Sequence, residues 1–218
     1  MRTNRKERAQ VTRQTILDAA EQVFYEAGAS AATLEEIARK ANVTRGAIYW
    51  HFADKQQILE AVIDRTVFVY EDAICQVTHK AETLEELCCF TVSMLEEIAK
   101  SADKQRALSI IFFKREHLET DTGLVAKEHV TYERLLQALE AFFARTVCNK
   151  ETGVFTATLL AQSFLFYNYG VIAQFLKYRD KIDLARQAQN YTKLFFQSID
   201  QKKNTAIVIP FTPSQEEK

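Results

Sequence analysis

The stretch TLEEIARKANVTRGAIYWHFADK, Thr33 to Lys55, holds two short amphipathic segments joined by a tight polar junction. Thr33 followed three residues later by Glu36 has the form of a capping box, which starts a helix whose buried side is Leu34, Ile37, Ala38 and Ala41. Asn42 falls where this helix must turn into the next, and asparagine tolerates a left-handed backbone better than most residues. Thr44 can cap a following helix whose buried contacts would be Val43, Ala47, Ile48 and Phe52. Asp54, with Gln57 three residues on, then starts a further helix backed by Ile58, Leu59, Val62 and Ile63.

Two short helices across a roughly four-residue turn make a helix-turn-helix. Its second helix leaves Arg45, Gly46, Tyr49, Trp50 and His51 with little core to occupy. An exposed run of that kind suits the major groove of DNA, ~12 Å wide, with the end of the helix and Lys55 facing the sugar–phosphate backbone.

Working outward, the preceding helix reads from about Gln10 to Ala27, with Ile16, Ala20, Val23, Phe24 and Ala27 on one face and Gly28 as its stop. Before it, Arg2, Arg5, Lys6, Arg8 and Arg13 stand against a single acid, Glu7. Net charge over the 218 residues is −1, so only this basic arm speaks for phosphates. The start of the chain is polar and offers no apolar core of a signal peptide.

Both prolines, Pro210 and Pro213, lie near the C-terminus, there are five glycines, and no Asn-Gly or Asp-Gly hairpin signal occurs. Long proline-free runs predict an all-α chain. Beyond the fourth helix, segments are expected at about 82–100, 102–117, 122–147, 151–178 and 182–202, with Thr83, Ser101 and Asp121 or Thr122 as starts. The domain boundary is placed within a long fourth helix: 1–55 as the helix-turn-helix domain, 56–204 as a second helical domain, and 205–218 as a tail.

From Val154 to Leu176, VFTATLLAQSFLFYNYGVIAQFL, no residue is charged, and 23 residues would span a bilayer. Thr156, Thr158, Gln162, Ser163, Asn168 and Gln174 make it too polar for a lone span, and no membrane is expected. A helix apolar on nearly all sides is buried on nearly all sides. One face can pack on its own subunit and the other on a second copy, joined by the Leu184, Ala188, Tyr191, Phe195 and Ile199 stripe of the next helix.

Enzyme and metal motifs are missing: there is no GxSxG, Walker loop, HExxH or CxxC. No catalytic residue, cofactor or metal is expected. Cys75, Cys88, Cys89 and Cys148 read as reduced thiols, with a redox sensor as the sharper alternative.

The stretch Thr12 to Leu59, TRQTILDAAEQVFYEAGASAATLEEIARKANVTRGAIYWHFADKQQIL, resembles the TetR family of bacterial transcriptional regulators, and among them the AcrR-like repressors of multidrug efflux genes. A second echo is IIFFKREH, Ile110 to His117, and one departure is Asn42, where many relatives carry glycine. The resemblance implies nine helices, with the first three binding DNA, the fourth linking two domains, and the last two forming a homodimer. It implies a cytoplasmic protein released from a palindromic double-stranded DNA operator by a small lipophilic inducer. Thr33 and Thr44 would touch phosphates; Arg45, Gly46 and Ala47 would face base edges; Tyr49, Trp50, His51 and Lys55 would hold the backbone.

Aromatics crowd the C-terminal half. Any one of them is ordinary core; as a set, Phe68, Phe112, Phe113, Phe142, Phe166 and Tyr167, with Glu71, Glu116, His117 and Asn168, could line an apolar ligand cavity with polar anchors. The alternative is a TetR-type regulator of another regulon, in lipid metabolism or stress, with a response through its thiols as one form of it.

Overall fold

The structure, a computed structural model, describes residues 2–65, 67–114, 122–148 and 155–199. Within them lie ten helices and no strand. The first four are α1 (Arg2–Ala27), α2 (Leu34–Lys40), α3 (Arg45–His51) and α4 (Lys55–Asp64). The other six are α5 (Val67–Lys80), α6 (Leu84–Lys100), α7 (Ala102–Phe113), α8 (Thr122–Thr146), α9 (Ala157–Lys177) and α10 (Leu184–Ile199).

The local start signals act as written. Thr33 and Glu36 form a full capping box, Thr44 accepts from the Ala47 amide, and Asp54 accepts from the Gln57 amide. Thr83 and Glu86 make a second capping box, and Ser101 caps α7. Each satisfies an amide that the helix leaves without an internal partner.

Two expectations need correcting. The fold has ten described helices where nine were expected, because the single long fourth helix ends at Asp64, closed by the Arg65 amide on Ala61 O, and a separate helix begins at Val67. The first helix, in contrast, starts at Arg2, eight residues before Gln10, because RTNRKERAQ contains no glycine or proline and is rich in strong helix formers.

Two apolar clusters organise the chain. One gathers Ile16, Phe24, Ile37, Ile48, Ile58 and Leu59 of α1–α4, together with Ile110 of α7. The other is built from α5 to α10 around an edge-on array in which Phe143 meets Phe142 and Phe164, and Phe164 meets Phe195 and Phe196. Close-packed aromatic edges of this kind add ~0.5–1.5 kcal/mol per pair beyond burial.

Helix α7 is thus shared. Ile110 plugs the first cluster while Leu108 belongs to the second. The Ala29 amide donates to Lys114 O at 3.1 Å, tying the turn after α1 to the end of α7. Arg179 bonds the Ser109 hydroxyl at 2.8 Å and lies over the Tyr25 ring.

Candidate nucleic-acid interface and ligand region

The junction between α2 and α3 is fixed by backbone geometry. Asn42 adopts φ 53, the left-handed conformation, with its amide on Arg39 O and the Val43 amide on Ala38 O. Fully buried Ile48 and nearly buried Phe52 then pin α3 to the rest of the N-terminal cluster. What remains of α3 faces outward. Arg45 and Gly46 are exposed, Tyr49 is 51% exposed and Trp50 67%, and Ala47 and His51 are half-buried.

This face is pre-arranged. The Arg45 guanidinium donates to the Tyr49 hydroxyl at 3.4 Å, one helical turn away. Trp50 meets His51 edge-on, with centroids 4.6 Å apart. Burial, with a smaller contribution from the nearby Arg13 charge, lowers the His51 pKa and keeps the imidazole neutral near pH 7. A Cβ at Gly46 would meet only the Thr44 hydroxyl, at 3.7 Å. Folding therefore does not demand glycine there.

Lys55 is also engaged within the fold. Its ammonium donates to Ser30 O at 2.7 Å and Ala32 O at 2.8 Å, so it staples the start of α4 to the turn after α1. That leaves one of its three protons for a phosphate.

A second constellation lies beyond the reach of sequence reasoning. Glu21 of α1 is 3% exposed, yet it is a carboxylate, and it is held between two guanidinium groups. One oxygen accepts from Arg65, the residue that closes α4, at 2.5 Å; the other accepts from Arg106 of α7 at 3.3 Å. Arg65 also pairs with Asp18 at 2.6 Å, and Arg106 with Asp103. A glutamate amid the buried positions Ala19, Ala20 and Val23 is the one signal the sequence offers.

The proposed ligand residues are dispersed. Phe142 is fully buried within the aromatic array. Phe112 stacks on Tyr169 at 4.4 Å and touches Phe113. Phe166 points outward, 66% exposed. The Tyr167 hydroxyl donates to Tyr191 O at 2.6 Å, and buried Asn168 donates to Phe164 O while its Oδ1 has no described partner. Phe68, Glu116 and His117 lie outside the described side chains.

Glu71 is the most unusual of the set. Its Oε2 is buried without a described partner, and burial, helped by Glu128 and Asp72 against the opposing Arg134, pushes its pKa up to about 7. The neighbouring Tyr70 hydroxyl is also without a described partner, and burial raises its pKa to about 12. Tyr70 lines a cleft of about 230 Å³ with Ala73, Phe90, Ser93, Met94, Glu97 and Lys104, and Arg65 reaches its edge. The cleft and the Glu21 cluster therefore share Arg65. Burial raises the Cys75 and Cys88 pKa values, which lowers their thiolate content and works against a redox trigger at either.

Residues 16–62 match the profile of the bacterial regulatory proteins of the tetR family. The HTH-type transcriptional regulator TtgR of Pseudomonas putida is 28% identical over 190 residues, covering 85% of this chain and 90% of that protein. In overall fold the chain is similar to NalD, the secondary repressor of the MexAB-OprM multidrug efflux pump in Pseudomonas aeruginosa, with TM-score 0.78, 24% identity, and 88% and 98% of the two chains covered. It is similar too to SmeT, solved as a triclosan complex, with TM-score 0.75, 22% identity, and 93% and 99% covered.

Proposed function

We propose that the chain, whose residues 16–62 match the tetR-family profile, is an AcrR-like DNA-binding transcriptional repressor that silences a multidrug efflux operon and leaves its operator when a lipophilic compound binds. The observation that carries the reading is the outward face of α3, where Arg45, Gly46, Tyr49 and Trp50 are exposed on a helix anchored from behind by Ile48 and Phe52. Arg45 reads a guanine edge, Gly46 and Ala47 allow close approach to the bases, and Thr33, Thr44, Tyr49, Trp50, His51 and Lys55 hold the backbone. The division of labour keeps DNA reading in residues 1–55 and ligand binding with dimerisation in 56–204.

Two copies are needed to read a palindrome, with half-sites ~34 Å apart. The exposed apolar residues Leu159, Phe166 and Tyr169 of α9 and Leu194 of α10 supply a face for the second copy. Helix α9 is long and apolar enough to cross a membrane by length and composition. Its Leu160, Phe164, Asn168, Ile172 and Phe175 are buried against the chain's own helices, while only 33% of its most apolar window is buried, which leaves the rest for the second copy.

Coupling between the two functions runs through α7 and Arg65. A ligand that fits the cleft in only one arrangement of α5, α6 and α7 displaces Arg65 or Arg106 from Glu21, moves α1 relative to α7, and changes the spacing of the two recognition helices. Operator affinity then falls by the ratio of ligand affinities for the two arrangements, ~5–150-fold in typical switches. The test is fluorescence anisotropy on DNA from immediately upstream of the protein's own gene and its neighbour, titrated with triclosan and with a lipophilic cation. Selective binding that weakens on titration supports the reading. Selective binding indifferent to every lipophilic compound tried would confine the account to DNA recognition and hand the regulon to the alternative, another metabolic or stress pathway.

A further inference from the structure

Helix α1 is longer than its core requires. It begins at Arg2, yet the first buried residue among its described side chains is Ile16, so residues 2–15 extend the helix by about 21 Å at ~1.5 Å per residue. A segment of this length with so little packing beyond Arg13 on Phe52 would be marginal as a helix and needs another reason to be there. Its Thr12 and Thr15 hydroxyls bond back to the Arg8 and Val11 carbonyls, and Val11 is exposed.

The charges on this extension are sorted by face. The buried stripe of α1 runs through Ile16, Leu17, Ala20, Val23 and Phe24. At ~100° per residue, Arg13, Ala9, Lys6, Arg5 and Arg2 are placed within about 60° of the mid-line of that stripe, and Arg8 about 120° from it. The face that meets the helix-turn-helix as core thus continues toward the start of the helix as a basic one. Arg8 lies off it, with Val11 and Thr15 at i+3 and i+7 on the outer side. The direction of the basic face is set by Arg13, whose guanidinium sits 5.0 Å over the ring of Phe52, the residue that ends the recognition helix. Arg13 is also close enough to lower the His51 pKa.

We infer that the first turns of α1 are a second DNA-contacting surface: the stripe bearing Lys6 and Arg13, continued in register by Arg5 and Arg2, follows the phosphates that flank the bases under α3. The inference rests on the repressor reading and adds to it a longer footprint with a charge-only, sequence-independent contact. Among the charges of this segment only Glu7 is acidic, so the surface attracts a polyanion although the whole chain carries −1.

The test uses the full chain with Lys6→Ala and Arg8→Ala. Both residues are exposed, and thermal melting checks that both variants fold. Operator affinity is followed across a salt series, on a duplex trimmed to the half-sites and on one extended by about one helical turn at each end. On the extended duplex, Lys6→Ala should reduce the slope of log affinity against log salt by about 0.9 per protomer, and Arg8→Ala should leave it unchanged. On the trimmed duplex the two variants should match the unmodified protein. Equal slope losses for both variants, or none for Lys6→Ala, with selective binding intact, overturn the inference alone. Absence of selective binding by the unmodified protein overturns the repressor reading and the inference with it.

Discussion

Removing the Glu21 carboxylate perturbs the link between α1, α4 and α7, away from the outward face of α3. Glu21→Ala deletes two charged hydrogen bonds, to Arg65 and to Arg106, from a position 3% exposed. Deleting one partner of a fully buried ion pair costs ~3–5 kcal/mol, because the remaining charge is left without compensation. Here the cost is smaller. Arg65 keeps Asp18, Arg106 keeps Asp103, and about a quarter of each arginine side chain stays in contact with water. A loss of ~2–3 kcal/mol follows from two charge-assisted bonds partly replaced by solvent.

For a chain of 218 residues, each kcal/mol moves the melting midpoint by ~2–4 °C, so Glu21→Ala should melt about 4–12 °C lower. Glu21→Gln, which keeps the volume and one acceptor oxygen, should lose less. Calorimetry at pH 7 supplies the midpoints, and operator anisotropy with and without triclosan supplies the coupling. If Glu21 links α1 to α7, the ratio of the two operator affinities shrinks toward one in the alanine variant. A midpoint within about 1 °C of the unmodified protein would refute the reasoning, since the carboxylate would then hold nothing together.

Three other outcomes follow from single positions. Glu71 has a pKa raised to about 7 in the fold against its ordinary value of 4.5, so the folded state keeps a proton that the unfolded chain releases; stability declines as pH rises from about 4.5 to 7. Glu71→Gln should therefore be more stable than the unmodified protein at pH 8 and indistinguishable in this respect at pH 4, as read by urea titration at both pH values. Gly46→Ala should fold with a melting midpoint equal to or above that of the unmodified protein, because the new methyl meets only the Thr44 hydroxyl at an ordinary distance and alanine favours the helix, yet bind operator at least about tenfold more weakly in the same anisotropy assay. Asn42→Val puts a β-branched residue at φ 53 and should cost ~1–2 kcal/mol in urea unfolding, whereas Asn42→Gly should be tolerated.

What is legible in the sequence is what is decided locally. Thr33 with Glu36, Thr44, Asp54 with Gln57, and Asn42 act on residues within four positions, so their chemistry marks helix starts and turns directly. The buried anchors Ile48 and Phe52 are readable from periodicity for the same reason. The Glu21 cluster is not, because its partners lie 44 and 85 residues away and nothing in the neighbourhood of Glu21 names them.

The end of α4 at Asp64 escapes the pattern because the apolar spacing of Ile58, Leu59, Val62 and Ile63 runs on into Val67 and carries no stop signal. The aromatic set shows the limit of composition. Phe142 and Phe166 are equivalent as letters, yet one is fully buried in the aromatic array and the other stands on the outer face of α9. Only the packing of α8, α9 and α10 separates them.

The central claim is that α3 reads base edges through Arg45. The measurement that tests it most directly is equilibrium binding of the unmodified protein and Arg45→Ala to the operator duplex and to a scrambled duplex of the same composition, at one fixed salt concentration. The account predicts that Arg45→Ala loses ~1–3 kcal/mol, roughly 5- to 150-fold, on the operator and little on the scrambled duplex, so that selectivity collapses. An equal loss on both duplexes would make Arg45 a phosphate contact, and no loss on either would contradict the assignment of α3 as the reading helix.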